Sequence, residues 1–196
     1  YLLGLINDVL DMSKIESGKM KLEEVNFNIQ EMLDTIGELI APQVAAKRIE
    51  FERRIKLDHC WFVADRMRIS QVLINLLGNA VKFTPVKGRI TLAVEEQAAA
   101  GEKISICFSV RDTGIGIAQE DQNRVFRSFE QASGPSPSKQ QGTGLGLSIS
   151  SRLIQMMGSN IQLESTPGEG SSFSFSLLLA LGESAECTKQ EEEISF

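Results

Sequence analysis

The sequence predicts an α+β fold, a two-layer α/β sandwich in which helices cover one face of a mixed sheet. The prediction rests on segments with apolar residues at helical spacing and on paired segments that alternate polar and apolar residues around turns. A helix over residues 1–18 precedes this domain, and its heptad stripe comprises Leu2, Leu5, Val9 and Met12. The stripe fits two structures equally: a helix that docks on its own domain, or half of a helical dimerisation bundle.

The other elements follow from the same patterns. We predict helices over residues 29–46, 66–83, 118–127 and 143–157, and strands over residues 21–28, 49–55, 60–64, 89–96, 103–111, 160–164 and 171–179. Asp65 is the predicted N-cap of the helix over residues 66–83, and Thr84-Pro85 ends that helix. Residues 128–141 contain serine, glycine and proline without an apolar period, which predicts a mobile loop. The chain therefore divides into a helical remnant (1–20), a domain (21–182) and an acidic tail or linker (183–196).

Composition and charge narrow the classes of function. The 196 residues are 42% hydrophobic and 23% charged, which suits a globular domain with a core. The net charge of -6 argues against a nucleic-acid partner, because chains that neutralise the phosphates of nucleic acids usually carry a basic excess. The apolar stretch 173–181 is about half of the roughly 20 residues that a membrane-spanning helix requires, so we expect no membrane contact.

The helix over residues 66–83 has one polar side, formed by Gln71, Asn75, Asn79 and Lys82. Read alone, this is an ordinary solvated face. Such faces usually carry Glu–Lys pairs, however, and asparagine is a poor helix former. An amide oxygen is a hard neutral ligand that suits Mg²⁺, and a lysine supplies a point charge for phosphate.

Two glycine-containing segments follow predicted secondary structure. Residues 110–117 read VRDTGIGI after a strand, and Asp112 at that strand end can accept hydrogen bonds from an exocyclic amine. Residues 141–147 read QGTGLGL before a helix, where backbone N–H groups can bind an anion. The second segment fits neither the Walker pattern nor GxGxxG, since Leu147 occupies the last glycine position. Taken singly, each segment also fits an ordinary turn or helix packing.

Together these segments resemble the sensor histidine kinases. Residues 75–84 (NLLGNAVKFT) resemble the N box of that family, 112–117 the first glycine box, 126–131 (FRSFEQ) the F box and 142–147 the second glycine box. Their order and separations match, and the resemblance covers residues 1 to 180. It implies the ATP-binding fold shared with gyrase, the heat-shock chaperone and mismatch-repair ATPases. The wording FEQA at 129–132 is frequent in hybrid kinases, whose chains continue into a receiver domain.

The resemblance also implies roles for individual residues. Asp112 bonds the adenine amino group, Asn79 is the Mg²⁺ ligand against the phosphates of ATP, and residues 128–141 are the nucleotide lid, with Phe126 and Phe129 at its base. The full set of implied nucleotide-binding residues is Asn75, Asn79, Lys82, Asp112, Gly114, Gly116, Ile117, Gly142, Thr143, Gly144, Leu145 and Gly146. The related ATPases carry Glu at the position of Asn75, and an amide cannot take a proton, so we expect slow ATP hydrolysis.

The family transfers the γ-phosphoryl of ATP to a histidine, and we expect that acceptor upstream of Tyr1. The chain's one histidine, His59, is followed by Cys60-Trp61 in a predicted strand, and nothing around it resembles the acidic-flanked H box of the family. The implied partners are the chain's own dimerisation hairpin in cis or trans, a homodimer of the full-length protein, and a response regulator or attached receiver. The resemblance further implies a cytoplasmic domain of a membrane-anchored parent. The alternatives are a non-catalytic nucleotide-sensing module and a gyrase-type ATPase.

Overall fold

The structure is a computed structural model that describes residues 2–127, 144–183 and 194–195. The helices of this part are α1 (Leu2–Glu16), α2 (Ile29–Ala46), α3 (Arg66–Phe83) and α4 (Gly146–Met156). The strands are β1 (Val25–Asn28), β2 (Glu50–Lys56), β3 (Trp61–Ala64), β4 (Arg89–Ala100), β5 (Lys103–Asp112), β6 (Gln162–Thr166), β7 (Gly170–Leu181) and β8 (Ile194–Ser195).

The strands form one mixed sheet in the order β1-β3-β7-β5-β4-β2-β8, and β6 pairs with β7. The β2–β4 pair is parallel, and the other described pairs are antiparallel. One face of the central strands is buried in the same cluster as the apolar residues of the helices, through side chains such as Leu92, Phe108 and Phe175. The opposite face carries half-buried residues such as Ser109 and Ser174. The predicted two-layer fold with helices on one face is therefore confirmed.

Helix α1 both docks on the domain and keeps an exposed apolar side. Met12 and Ile15 pack against the core cluster, whereas Ile6, Val9 and Leu10 are 50%, 50% and 51% exposed. The Leu2 and Leu5 side chains of the predicted stripe lie outside the described part. Both structures left open by the heptad pattern are consistent with this arrangement.

The helix predicted for residues 118–127 is wrong. The segment is a series of turns, closed by bonds from the Asp121 N–H to the Ala118 carbonyl (2.9 Å) and from the Arg124 N–H to the Asp121 carbonyl (2.9 Å). An isolated helix of this length is marginal, and tertiary contacts decide its conformation. Here Val125 is buried, and the Gln122 side chain bonds carbonyls outside the segment.

Several boundaries also differ from the prediction. Strand β1 starts at Val25 because its partner β3 ends at Ala64, beyond which Asp65 caps α3. Helix α4 starts at Gly146, and Gly144 before it has φ +69°, a left-handed conformation that an α-helix does not contain. Ile194–Ser195 pairs with β2, and residues 184–193 lie outside the described part, so the division into three segments stays a prediction.

Candidate functional site

The predicted site is organised around α3. Asp65 caps its N-terminus by accepting from the Arg68 N–H at 3.0 Å, and its other carboxylate oxygen accepts from the Glu23 N–H at 3.0 Å. Ile69, Leu73 and Leu77 are buried against the sheet, which fixes the rotation of the helix. The predicted polar residues Asn75, Asn79 and Lys82 therefore lie along its half-buried edge. The helix ends at Phe83 as predicted.

Asp112 is a buried carboxylate at the end of β5, with 6% of its surface exposed. Its Oδ1 accepts from the Gly114 N–H at 2.7 Å, an Asx turn that sets the direction of the chain after the strand. Burial raises the pKa of the Asp112 carboxyl, and the backbone N–H groups of Gly114 and Ser171 oppose this shift. A buried carboxylate that keeps acceptor capacity is suited to a ligand with an N–H donor.

The loop after Asp112 contacts the end of α3 on one side and the β6–β7 hairpin on the other. A Cβ at Gly114 would lie 2.7 Å from the Phe83 carbonyl oxygen, so only glycine lets this loop approach α3 so closely. Gly116 has φ +68°, and a Cβ there would collide with the Thr166 carbonyl. The first glycine segment is therefore required by the backbone geometry of this loop.

The second glycine segment contacts the same helix about two turns earlier. The Asn75 Nδ2 donates to the Ser150 hydroxyl of α4 at 2.9 Å, and Gly146 packs directly on the Asn75 carboxamide. Leu145 is buried and Gly144 has a left-handed backbone, whereas Gly142, Thr143, Phe129 and the predicted lid 128–141 lie outside the described residues. Both glycine segments thus contact α3, the first at its last residue, Phe83, and the second at Asn75 on the polar edge.

The remaining predicted residues on α3 have open polar groups. Within the described part of the chain, the Asn79 carboxamide makes no hydrogen bond, although the residue is half-buried. The Lys82 Nζ lies 4.8 Å from the centroid of the Phe83 ring, and burial lowers the pKa of this lysine. A neutral amide oxygen and an ammonium group are therefore available one turn apart.

Phe126 and Ile117 both contact the β6–β7 hairpin. The Phe126 ring packs edge-on against the Phe173 ring, with 6.3 Å between the ring centroids. This contact holds the chain against the core just before residue 128. The Ile117 N–H donates to the Ser165 hydroxyl at 2.8 Å. His59 lies in the connection between β2 and β3 rather than in a strand, and its Nδ1 is 2.9 Å from Glu96 Oε1.

Lys47, which follows α2, supports the site through contacts that the sequence patterns did not predict. Its Nζ donates to the carbonyls of Val81 (2.7 Å), Lys82 (2.9 Å) and Thr84 (3.1 Å). This ammonium satisfies the open carbonyls at the C-terminus of α3 and opposes the negative end of the helix dipole. Lys47 therefore holds the turn that carries Asn79 and Lys82, and no local sequence pattern indicates this contact.

Comparison with known proteins decides the family. Residues 64–181 match the model of the family described as histidine kinase-, DNA gyrase B-, and HSP90-like ATPase. The chain belongs to this ATPase family. The match begins at the end of β3 and includes α3, both glycine segments and the β6–β7 hairpin, so it covers the whole candidate site.

The relatives of this ATPase-family chain include sensor kinases. It is 42% identical over 181 residues to the signal transduction histidine-protein kinase BarA of Escherichia coli strain K12, covering 92% of this chain and 20% of that protein. It is 41% identical over 179 residues to the sensor histidine kinase GacS of Pseudomonas protegens, covering 91% and 19%. The chain thus spans about a fifth of the length of these two relatives and is homologous to a catalytic segment of sensor histidine kinases.

Solved structures agree with the family. Full-length ShkA in complex with AMPPNP superposes with a TM-score of 0.78 at 33% identity, over 93% of this chain and 37% of that chain. ThkA in complex with the response regulator protein TrrA superposes with a TM-score of 0.68 at 26% identity, over 90% and 48%. Among the described residues, no helix combines the length and the apolar character needed to cross a lipid bilayer.

Proposed function

We propose that this domain binds Mg²⁺-ATP in the space bounded by α3, the loop after β5 and the start of α4. The observation that carries the proposal is that both glycine segments contact α3, the first at Phe83 and the second at Asn75, with the buried Asp112 carboxylate beside the first segment. The AMPPNP complex of the similar protein ShkA supports the same ligand class.

Asp112 would select the base. Its carboxylate is held by the Gly114 N–H and can accept a hydrogen bond from the exocyclic amine of adenine. A base with a keto group at the same position has no hydrogen to donate to this carboxylate. Because Gly114 and Gly116 have no side chain, the loop that follows Asp112 packs closely on the backbone of Phe83 and Thr166, and this packing fixes the loop beside the carboxylate.

Asn79 and Lys82 fit the phosphate end. The Asn79 carboxamide is half-buried without a hydrogen-bond partner in the described part, and its oxygen is of the type that Mg²⁺ accepts. The described residues contain no group of three or more His, Cys, Asp or Glu side chains suited to a metal. Phosphate oxygens and water would therefore complete the coordination shell of the Mg²⁺ that Asn79 binds. The bound cation would neutralise phosphate charge, and Lys82 would add an ammonium beside it.

We further propose that the parent protein is a histidine kinase. An imidazole nitrogen upstream of residue 1 would form a bond to the γ-phosphorus while the bridging P–O bond breaks and ADP leaves with the electron pair. The acceptor helix would come from the chain's own hairpin, in cis or from the second copy of a homodimer. ThkA was solved with a response regulator, which supports a receiver as the next partner. A membrane-anchored parent with this domain in the cytoplasm stays a prediction from the resemblance.

The binding proposal is tested by calorimetry with AMPPNP and MgCl₂. The Asp112→Asn variant turns one acceptor into a donor facing the adenine amine, and we expect at least a hundredfold loss of affinity, about 3 kcal/mol. Asp58→Asn is the matched control, because Asp58 is exposed in the connection between β2 and β3, and this variant should bind as the parent chain does. Equal affinity of the Asp112 variant would remove Asp112 from the site.

The kinase proposal is tested separately. The chain is mixed with a longer version that carries its native hairpin and with ATP labelled on the γ-phosphate. Label on a histidine supports the kinase. Tight binding without transfer would instead indicate a nucleotide-sensing module. Rapid hydrolysis stimulated by DNA would indicate a gyrase-type ATPase, against the expectation from the amide at Asn75.

A further inference from the structure

The loop that follows Asp112 is bonded to the β6–β7 hairpin by two side chains far apart in sequence, Ser165 and Gln122. The Ile117 N–H donates to the Ser165 hydroxyl at 2.8 Å, and the Gln122 Nε2 donates to the Ile117 carbonyl at 3.1 Å. Both polar groups of residue 117 are therefore held by side chains, although the loop belongs to no helix or strand.

Ser165 is the centre of this network. Its single hydrogen goes to the Gly170 carbonyl at 2.9 Å, so the Ser171 hydroxyl, 3.0 Å away, donates to it. The Ser165 oxygen thus makes one donor and two acceptor contacts, which is its full capacity. Ser171 lies opposite Asp112 in the β5–β7 register, so the network reaches the backbone beside the buried carboxylate.

Gln122 completes the connection from the other side. Its two amide hydrogens go to the carbonyls of Ile117 (3.1 Å) and Ser165 (2.9 Å), one in the loop and one in β6. The Gly168 N–H adds a backbone bond to the Ile115 carbonyl at 2.8 Å. The loop is consequently fixed to the hairpin over Ile115–Ile117, on the side opposite its contact with Phe83.

We propose that Ser165 and Gln122 are positioning residues for the base of the nucleotide. They set the distance between the loop and the hairpin, and this distance determines how well the exocyclic amine of the base meets the Asp112 carboxylate. The inference rests on the proposed nucleotide site but concerns residues outside the four resembling motifs. Neither side chain needs to touch the nucleotide.

The test compares ATP with purine riboside 5′-triphosphate, which lacks only the exocyclic amine. Calorimetry on the full chain gives the ratio of the two dissociation constants, which isolates the contribution of the amine. We expect a ratio of tenfold or more for the parent chain and a ratio at least threefold smaller for Ser165→Ala combined with Gln122→Met. A purely structural loosening would weaken both ligands equally and leave the ratio unchanged.

Matched variants complete the experiment. Ser165→Thr keeps the hydroxyl, so its ratio should equal that of the parent chain. The control, Ser174→Ala with Gln162→Met, removes the same groups from positions that make no side-chain hydrogen bond in the described part, and its ratio should also equal that of the parent. If circular dichroism shows that the double variant does not fold, Gln122→Met alone removes the bonds to the Ile117 and Ser165 carbonyls from a half-buried side chain. An unchanged ratio in a folded variant overturns the proposal. A parent chain that binds both ligands equally overturns the role of Asp112, and with it this inference.

Discussion

The Asn75 carboxamide donates to the Ser150 hydroxyl across 2.9 Å, and this contact joins α3 to α4. Gly146, the first residue of α4, packs on the same carboxamide. The side chain at the position where related ATPases carry Glu thus has a structural contact in this chain. An amide supplies no base for water, so slow ATP hydrolysis by this chain stays the expectation.

Removing the Ser150 hydroxyl should destabilise the domain. Ser150→Ala leaves the Asn75 Nδ2 without its partner at a site where Ser150 itself is 2% exposed, so we expect a loss of about 1 to 2 kcal/mol in the free energy of unfolding. Urea unfolding followed by circular dichroism measures it. Ser151→Ala removes a half-buried hydroxyl of α4 that accepts only a long bond, 3.5 Å, from the Gln155 Nε2, so this variant should stay within about 0.5 kcal/mol of the parent. Equal effects of the two variants would contradict the contact.

On acidification, nucleotide affinity should begin to fall at a higher pH than the titration of an ordinary aspartate would predict. Burial raises the pKa of Asp112 above 3.8, and the protonated carboxyl offers one acceptor fewer to the base. The same shift means that the folded state binds the proton more tightly than the unfolded chain. Asp112 therefore subtracts stability as the pH rises from 3.8 through its raised pKa, and ionisation restores acceptor capacity for the ligand.

Calorimetry with AMPPNP at a series of pH values checks this expectation. The Asp112→Asn variant provides the baseline, because protonation of the nucleotide itself affects both proteins equally. The parent chain should lose affinity more steeply than the variant at pH values above 3.8. Parallel profiles for the two proteins would refute titration of Asp112 as the cause.

The sheet and α3 were predictable because their signals are local. Strand alternation in β5 and β7 places one face toward the helices, and Asp65 and Thr84-Pro85 delimit α3 by local chemistry. The segment 118–127 misled the same reasoning, because Val125 and Phe126 pack inward from turns as they would from a helix. Periodicity reports which residues are buried, and it does not report which hydrogen bonds hold the backbone.

The contacts that position the candidate site were not predictable, because they join residues distant in sequence. Lys47 bonds carbonyls 34 to 37 residues away, and Gln122 and Ser165 are separated by 43. Each is a common polar residue whose own neighbours carry no signal. Motif spacing identifies the groups that would face the ligand, whereas their supports depend on the folded chain.

Lys47→Met should destabilise the C-terminal turn of α3. The variant keeps an apolar side chain of similar length but removes three charge-assisted hydrogen bonds to half-buried carbonyls. We expect a loss of about 2 to 3 kcal/mol in urea unfolding. Lys21→Met changes an exposed lysine without a hydrogen bond in the described residues and should be neutral. If Lys47→Met leaves the free energy of unfolding unchanged, water replaces the ammonium at no cost.

Asn79→Asp should change how nucleotide binding depends on the metal. A carboxylate repels phosphate when no cation is present and attracts Mg²⁺ when one is. We expect metal-free AMPPNP to bind about tenfold more weakly than to the parent, with most of the loss recovered in MgCl₂. Asn160→Asp adds the same charge at an exposed position after α4 and serves as the control. An identical metal dependence for parent and Asn79 variant would exclude Asn79 as the ligand.

Asp11 should control whether α1 stays docked on the domain. Its Oδ2 accepts from the Arg68 Nη1 at 3.1 Å and from the Gln71 Nε2 at 2.9 Å, and the same Nη1 donates to the Gln71 Oε1 at 2.7 Å. The Asp11 and Arg68 side chains are only 18% and 19% exposed, so solvent screens this pair less than a surface ion pair. Asp11→Ala leaves both α3 donors without their shared acceptor, and we expect about 1 to 2 kcal/mol less protection of α1.

Amide hydrogen exchange over residues 2–16 measures this loss, which corresponds to roughly a five- to thirtyfold faster exchange. Lys14→Met changes an exposed charge on the same helix and should leave the exchange unaltered. Met12 and Ile15 still pack on the core in the Asp11 variant, so exchange should rise without reaching the rate of an unfolded peptide. Unchanged protection in Asp11→Ala would mean that these apolar contacts alone hold α1, and Arg68 and Gln71 would then have no part in docking it.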